Sequence, residues 1–170
     1  MTLLRRIARL RVTLGFIFGV LAIWLAQPTR ASLIAGATVA LVGEAIRVWA
    51  AGHLEKGREV TTSGPYRFTR HPLYLGSTLI GVGLGVASAH AVVTVIVVAY
   101  LAITLTAAVR TEEAHLTDKF GAAYPAYRAG RADGVSRQFS AARAVRNREY
   151  RAALWLLLVL VVFAWKARLF

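Results

Sequence analysis

Cysteine and acidic residues are what this chain lacks. No cysteine occurs among the 170 residues, which excludes disulfides, thiolate metal sites and covalent catalysis by a cysteine. Only 8 Asp and Glu stand against 21 Lys and Arg, so the formal net charge is +13. Such an excess favours an anionic partner, either a nucleic acid or a membrane surface. Because no aromatic–basic reader module accompanies the charge, we expect no nucleic-acid partner.

Long apolar runs make up most of the chain, with 57% hydrophobic residues and a mean hydropathy of +0.55. A helix that crosses a bilayer needs about 20 apolar residues. The run 73–109 would extend roughly 55 Å as one helix, so its small polar break at 87–90 predicts a turn between two helices. We therefore predict an all-α, polytopic integral membrane protein with about five transmembrane helices, one helical hairpin and a cytoplasmic cofactor pocket. The runs are residues 12–27, 31–51, 73–109 and 152–165.

The basic residues predict the orientation. In an alternating topology nearly all of them fall on one side, which the positive-inside rule makes cytoplasmic. The N-terminus is then cytoplasmic, 128–151 is a basic interfacial segment, and 152–166 is a last transmembrane or half-spanning helix. Residues 24–28 make a poor signal-peptide cleavage site, so the first run is predicted to stay as a mature helix. The four basic residues that do not belong to the predicted cytoplasmic segments are Arg30, Arg47, Lys166 and Arg168.

Two charged residues lie inside the second apolar run. Glu44 and Arg47 are three residues apart and therefore share a helix face. Charged groups at membrane depth are costly and mark candidate functional sites. They form either a mutually paired structural couple or part of a polar cavity.

The loop before the third run, GPYRFTRHPLYLG at residues 64–76, carries the densest chemistry. Pro72 is well placed as the first residue of a helix, whose free N–H groups then suit an anionic group. An aromatic belt with basic flanks explains Tyr66 and Arg70. It does not explain His71 and Tyr74, which enter the next apolar run.

Acidic residues return where run 73–109 ends. Glu112 and Glu113 point about 100° apart on a helix, so one can face a ligand while the other pairs with an arginine. Glu112 and His115 have the spacing of metal ligands, but a di-metal bundle needs a second copy of that motif. The sequence has none, and we predict no metal.

The order of these features resembles the isoprenylcysteine carboxyl methyltransferase family and its wider membrane relatives, including phospholipid N-methyltransferases. The motifs are GPYRFTRHPLYLG at 64–76, Glu112-Glu113, and Phe120-Gly121 followed by Tyr124 and Tyr127. They cover about residues 40–130, which would be the methyltransferase core of a single membrane domain, 1–170. After Tyr127 the sequence departs from the family pattern, and no ligand role is assigned there.

The resemblance implies S-adenosylmethionine as cofactor and a lipophilic small molecule or lipid as methyl acceptor. We expect the protein to lie among the lipids of a bacterial cytoplasmic membrane. Arg47 and Glu113 are the implied catalytic residues, with Arg47 orienting an acceptor carboxylate. Oxygen, nitrogen and sulfur acceptors all stay open, as do a dinucleotide-binding membrane reductase and a non-catalytic membrane protein. The implied cofactor contacts are Pro65, Tyr66, Arg70, His71, Tyr74, Leu75, Glu112 and Glu113.

Overall fold

The computed structural model describes residues 15, 17, 19–131 and 137–168, and over these the chain is helical without a β-strand. Residues 19–25 are helical, and a 3₁₀ helix, Gly64–Arg67, lies in the loop before the helix that begins at Pro72. The α-helices are α1 (Arg30–His53), α2 (Pro72–Ala87), α3 (Ala91–Phe120), α4 (Ala123–Arg128), α5 (Ala141–Arg146) and α6 (Tyr150–Lys166).

Helix α1 begins with a reciprocal cap. The Thr29 side chain accepts a hydrogen bond from the Ser32 backbone N–H at 3.1 Å, and the Ser32 hydroxyl accepts one from the Thr29 N–H at 2.9 Å. Each bond satisfies a donor that the start of a helix leaves unpaired. The helix then continues for 24 residues to His53.

Helices α1 and α2 cross at glycines, which let the two backbones touch. A Cβ atom built on Gly43 would lie 2.6 Å from the Gly76 carbonyl oxygen, and one on Gly83 would lie 2.5 Å from the Ala40 nitrogen. Small residues at helix contacts are typical of membrane bundles. Gly76 and Gly83, in the third apolar run, therefore allow α2 to pack closely against α1.

A tight turn joins α2 to α3. Ser88 follows the last residue of α2, and its hydroxyl donates to the Gly85 carbonyl at 2.6 Å. Ala89 has a positive φ of 48°, and α3 begins at Ala91. The predicted hairpin within residues 73–109 is confirmed.

Two of the described helices, rather than five, are long and apolar enough to cross a membrane by length and composition. They are α1, with 24 residues, and α3, with 30. Helices α2 and α6 have 16 and 17 residues, which is short for a full crossing. Most of the first predicted helix lies outside the described residues.

Candidate functional site

The loop that leads into α2 folds back onto the end of α1. Gly64 has a φ of 58°, and a Cβ atom there would meet the His53 ring at 2.6 Å, so this turn requires glycine. The His53 Nδ1 lies 3.2 Å from the Ser63 hydroxyl. Pro65 and Tyr66 are buried as a result, and the loop is held as part of the bundle.

Glu113 lies at the centre of the predicted site. Its Oε1 is 3.0 Å from His71 Nε2 and 3.5 Å from Arg70 Nη1. His71 precedes α2, and Pro72 is the first residue of that helix, as the sequence predicted. Glu112 is exposed and does not share these contacts. The Glu113 cluster, defined as Arg70, His71 and Glu113, therefore joins the loop to α3.

Two tyrosines of α4, which follows α3, interact with the loop and with the Glu113 cluster. The Tyr127 hydroxyl donates to the Tyr66 carbonyl at 2.7 Å, which ties α4 to the loop. Tyr124 is buried, and its hydroxyl interacts with the Glu113 carboxylate. Burial raises the pKa of Tyr124 to about 12, and the nearby Glu113 carboxylate adds to the shift. Burial also raises the pKa of Tyr127, so both phenols are neutral donors at physiological pH.

A cleft of about 630 Å³ opens between the loop and α4. Arg67, Arg70 and Arg128 bring three guanidinium groups to its wall, so it suits a ligand that carries an anionic group. The sequence assigned no ligand role to Arg128. The loop cleft is lined by Thr62, Tyr66, Arg67, Phe68, Thr69, Arg70, Tyr127, Arg128 and Gly130.

The remaining predicted contacts lie around the first turn of α2. The ring of Tyr74 packs 5.7 Å from the ring of His71. Leu75 is 47% exposed. Among the predicted cofactor contacts, only Tyr66 and Arg70 line the loop cleft. The others are not in its wall: Pro65, His71, Tyr74, Leu75, Glu112 and Glu113. The structure thus gathers Tyr74 with His71 and leaves Leu75 at the surface.

Arg47 belongs to a second cluster, on the α1 side of the α2 start. Its Nε donates to the Glu149 carboxylate at 2.6 Å, and its Nη1 donates to the Ser77 hydroxyl at 2.5 Å and the Leu73 carbonyl at 3.4 Å. Glu44 lies 3.9 Å from the guanidinium, and its buried carboxylate oxygens have no hydrogen-bond partner among the described residues. The main partner of Arg47 is therefore Glu149, not Glu44. No contact joins Arg47 directly to Glu113 in the described residues.

The sequence reasoning missed Glu149, which reaches Arg47 because a polar segment docks on the end of α1. We call residues 137–149 the strap. Glu55 accepts from Arg143 at 2.8 Å and from Arg146 at 3.0 Å. Asn147 donates to the carbonyls of Ala51 and Leu54 at 2.9 Å each. One signal was available in the sequence: Glu149 is an acidic residue shortly before the apolar run 152–165.

Tyr66 is a buried phenol within electrostatic reach of carboxylates from α3 and from the strap. Burial raises the pKa of Tyr66 well above its usual range, and the charges of Glu112 and Glu149 raise it further. Tyr66 therefore stays protonated at neutral pH.

A family model described as phospholipid methyltransferase matches residues 10–123, well over half of the chain. The chain belongs to the phospholipid methyltransferase family. This is the membrane methyltransferase family related to the isoprenylcysteine carboxyl methyltransferases, as the motifs predicted. The matched residues include the loop 64–76, Glu113 and Arg47.

Two curated relatives carry names from metal resistance. The cobalt-zinc-cadmium resistance protein CzcN of Cupriavidus metallidurans is 36% identical over 87 residues. The nickel-cobalt-cadmium resistance protein NccN of Alcaligenes xylosoxydans xylosoxydans is 34% identical over 87 residues. Each match covers 50% of this chain and only 39% of the relative, so the chain matches less than half of their length. No solved structure matches.

Proposed function

We propose that this protein transfers a methyl group from S-adenosylmethionine to a lipophilic acceptor at the cytoplasmic face of the membrane. The reaction that we favour is carboxyl O-methylation of an isoprenylcysteine-type acceptor, and the alternatives are methylation of phospholipid amines or of thiols. One observation carries the proposal: Arg70, in the wall of the loop cleft, and His71 meet Glu113, which combines positive and negative groups in one place.

The residues present fit S-adenosylmethionine. Its carboxylate suits the guanidinium groups of the loop cleft and the N–H groups at the start of α2. Its ammonium suits the Glu113 carboxylate, which His71, Arg70 and Tyr124 contact. The cleft volume of about 630 Å³ falls in the usual range for cofactor sites. When bound, the cofactor supplies an electrophilic methyl group on its sulfonium.

Arg47 orients the acceptor in this proposal. Glu149, Ser77 and the Leu73 carbonyl fix the guanidinium against the first turns of α2. A guanidinium held in this way can present its remaining N–H groups to an acceptor oxyanion with little loss of entropy. Glu149 is then a positioning residue, and an acceptor carboxylate, already ionised at neutral pH, requires no general base.

The membrane topology is part of the same proposal. The two long helices α1 and α3 lie in a single membrane domain, with the residues 19–25, α2 and α6 inserted beside them. The site is then at the cytoplasmic end, where the arginines of the loop and the strap lie. In this arrangement 40–130 forms the methyltransferase core.

The relatives' names do not assign this chain a role with metals. No group of three or more His, Asp or Glu that could hold a metal ion occurs in the part of the chain that the structure describes.

Calorimetric binding of S-adenosylmethionine and of its demethylated product to detergent-purified protein tests the cofactor. We expect binding by the wild type and its loss in the His71→Ala, Glu113→Ala double variant. The matched control is His115→Ala, Asp118→Ala, which removes a histidine and an acidic residue from exposed positions of α3. Equal losses in both variants, or no binding by folded wild-type protein in lipid, would refute the proposed site.

The acceptor atom can then be found with radiolabelled cofactor and a lipid extract. A methyl ester releases volatile methanol in mild base, whereas methyl groups on nitrogen or sulfur stay attached. Label that is released by base supports carboxyl O-methylation. Base-stable label in the lipid fraction would favour the amine or thiol alternative.

A further inference from the structure

Helices α1, α2 and α6 run between the same two levels of the molecule. At one level, Arg47 of α1 donates to Glu149, which directly precedes α6, and to the carbonyl of Leu73 in the first turn of α2. At the other level, the Ser32 hydroxyl in the first turn of α1 donates to the carbonyl of Ala87, the last residue of α2, at 3.2 Å. We call these the Arg47 level and the Ser32 level.

Helix α6 reaches the Ser32 level with its last turn. Phe163 is buried there in a core cluster that includes Ala87. The Lys166 ammonium donates to the carbonyls of Ile23 at 2.8 Å and Trp24 at 3.1 Å. These carbonyls belong to the last turn of the helical residues 19–25, where a helix leaves its acceptors unpaired. Although it has only 17 residues, roughly 25 Å, α6 therefore runs the full distance between the two levels.

The charged ends of α6 limit its apolar length. Arg151 is exposed in the first turn, Lys166 is the last residue, and all residues between them, 152–165, are apolar. At ~1.5 Å per residue the two charges are roughly 23 Å apart along the axis. Glu149 is bonded to Arg47 and Lys166 to two carbonyls, so neither end of α6 can slide. This apolar length is roughly 7 Å shorter than the hydrocarbon core of a typical bilayer.

Aromatic side chains mark the same limits. Trp24 and Trp165 are exposed beside Lys166, and Tyr150 is exposed next to Arg151. Tryptophan and tyrosine are enriched at both membrane–water interfaces. The aromatic residues and the charged residues of α6 thus indicate one thickness independently.

Helix α3 has a longer apolar part. Its residues 91–109 extend roughly 28 Å, which fits an ordinary hydrocarbon core. Helix α3 packs on α2, whereas α6 packs on α1. The short apolar length therefore belongs to the flank of the molecule that α6 forms.

We propose that α6 binds a locally thinned bilayer between Arg151 and Lys166, so that the protein prefers lipids with short acyl chains. A helix whose apolar part is too short is accommodated by thinning of the bilayer when its ends cannot move. The inference rests on the membrane topology proposed above and is independent of methyl transfer. Thinning would also bring the headgroup layer to the level of Arg47, which lies roughly 9 Å before the end of α1 at His53.

Reversible unfolding in phosphatidylcholine bicelles, followed by tryptophan fluorescence, tests the inference. Monounsaturated chains of 14 carbons form a thinner core than chains of 18 carbons. Mismatch costs a fraction of a kcal/mol per Å, so roughly 7 Å should make the unfolding equilibrium constant about tenfold smaller in the 14-carbon lipid.

Arg151→Leu moves the charged limit of α6 outward to Arg148, by about 4–5 Å, and should reduce the tenfold ratio to about threefold. The matched control is Arg58→Leu, which removes an arginine from an exposed turn outside the helices and should keep the tenfold ratio. Arg151→Gln leaves a polar side chain at the same position and should also keep it.

Three results would overturn the inference: equal unfolding constants of the wild type in the two lipids, equal ratios for Arg151→Leu and Arg58→Leu, or a reduced ratio for Arg151→Gln as well. The first excludes thinning, the second excludes Arg151 as the limit, and the third assigns the effect to charge rather than to apolar length. Failure of the protein to float with vesicles of either lipid would overturn the membrane topology as well. Failure to bind S-adenosylmethionine concerns the methyltransferase proposal alone, because the cofactor takes no part in this measurement.

Discussion

The pair Arg47–Glu149 provides the sharpest test of how the site is assembled. The two side chains are 20% and 8% exposed, and the Nε–Oε1 distance is 2.6 Å, so the bond is a short, largely buried ion pair. Removing one partner of such a pair costs about 3–5 kcal/mol, because the other charge stays buried. Ser77 and the Leu73 carbonyl still hold Arg47 when Glu149 is lost, so we expect about 3 kcal/mol for Glu149→Leu.

A double-mutant cycle measures the coupling. Arg47→Met, Glu149→Leu and the double variant would be unfolded reversibly in mixed micelles and followed by tryptophan fluorescence. Because the double variant leaves no unpaired charge, we expect a coupling energy of about 2–3 kcal/mol. The more exposed pair Arg137–Glu59, at 2.8 Å, should show less than about 1 kcal/mol. A coupling below about 0.5 kcal/mol for Arg47 and Glu149 would refute the role of the strap in holding Arg47.

Three further changes have expected outcomes. Gly83→Leu should lower the free energy of unfolding by about 3 kcal/mol or more, because its Cβ would meet the α1 backbone. Gly19→Leu is the control in the same unfolding assay and should change that free energy little, because no atom of the described residues lies within 4 Å of a Cβ there. Tyr127→Phe removes the hydrogen bond to the Tyr66 carbonyl and should cost about 1 kcal/mol in that assay, with weaker cofactor binding by calorimetry. The hydrogen bond from Arg143 lowers the pKa of Glu55 below its usual value of 4.5. The strap is therefore fully docked above pH 4.5, and its docking is lost as the pH falls through the lowered pKa of Glu55. Hydrogen exchange in the strap should rise in acid for the wild type, and a pH-independent exchange protection would contradict this.

The start of α2 and the turn between α2 and α3 could be predicted because their signals are local. Pro72 sets the start of a helix by its own geometry, and the polar residues 87–90 interrupt a run too long for one crossing. The sequence predicted that one of Glu112 and Glu113 pairs with an arginine without deciding which one, and in the structure Glu113 pairs with Arg70. Helix count was less predictable, because α2 and α6 are shorter than a full crossing.

The Arg47 cluster could not be predicted, because its partners are far apart in sequence. Glu149 is 102 residues from Arg47, and only the docked strap brings them together. Glu44, three residues away, was the obvious partner by helical spacing, yet the distance of 3.9 Å makes it the weaker contact. Arg128 was passed over because its surroundings depart from the family pattern, although it lines the loop cleft.

The strap also sets the order in which this protein becomes complete during synthesis. The carbonyls of Ala51 and Leu54, at the end of α1, receive their hydrogen bonds from Asn147, a residue made more than 90 positions later. A nascent chain that has reached residue 130 already contains every member of the Glu113 cluster, but its Arg47 still lacks Glu149. We therefore expect the Glu113 cluster to form first and Arg47 to be fixed only after the strap has been made. Under the proposed function, a translation intermediate would then bind the methyl donor before it could orient the acceptor.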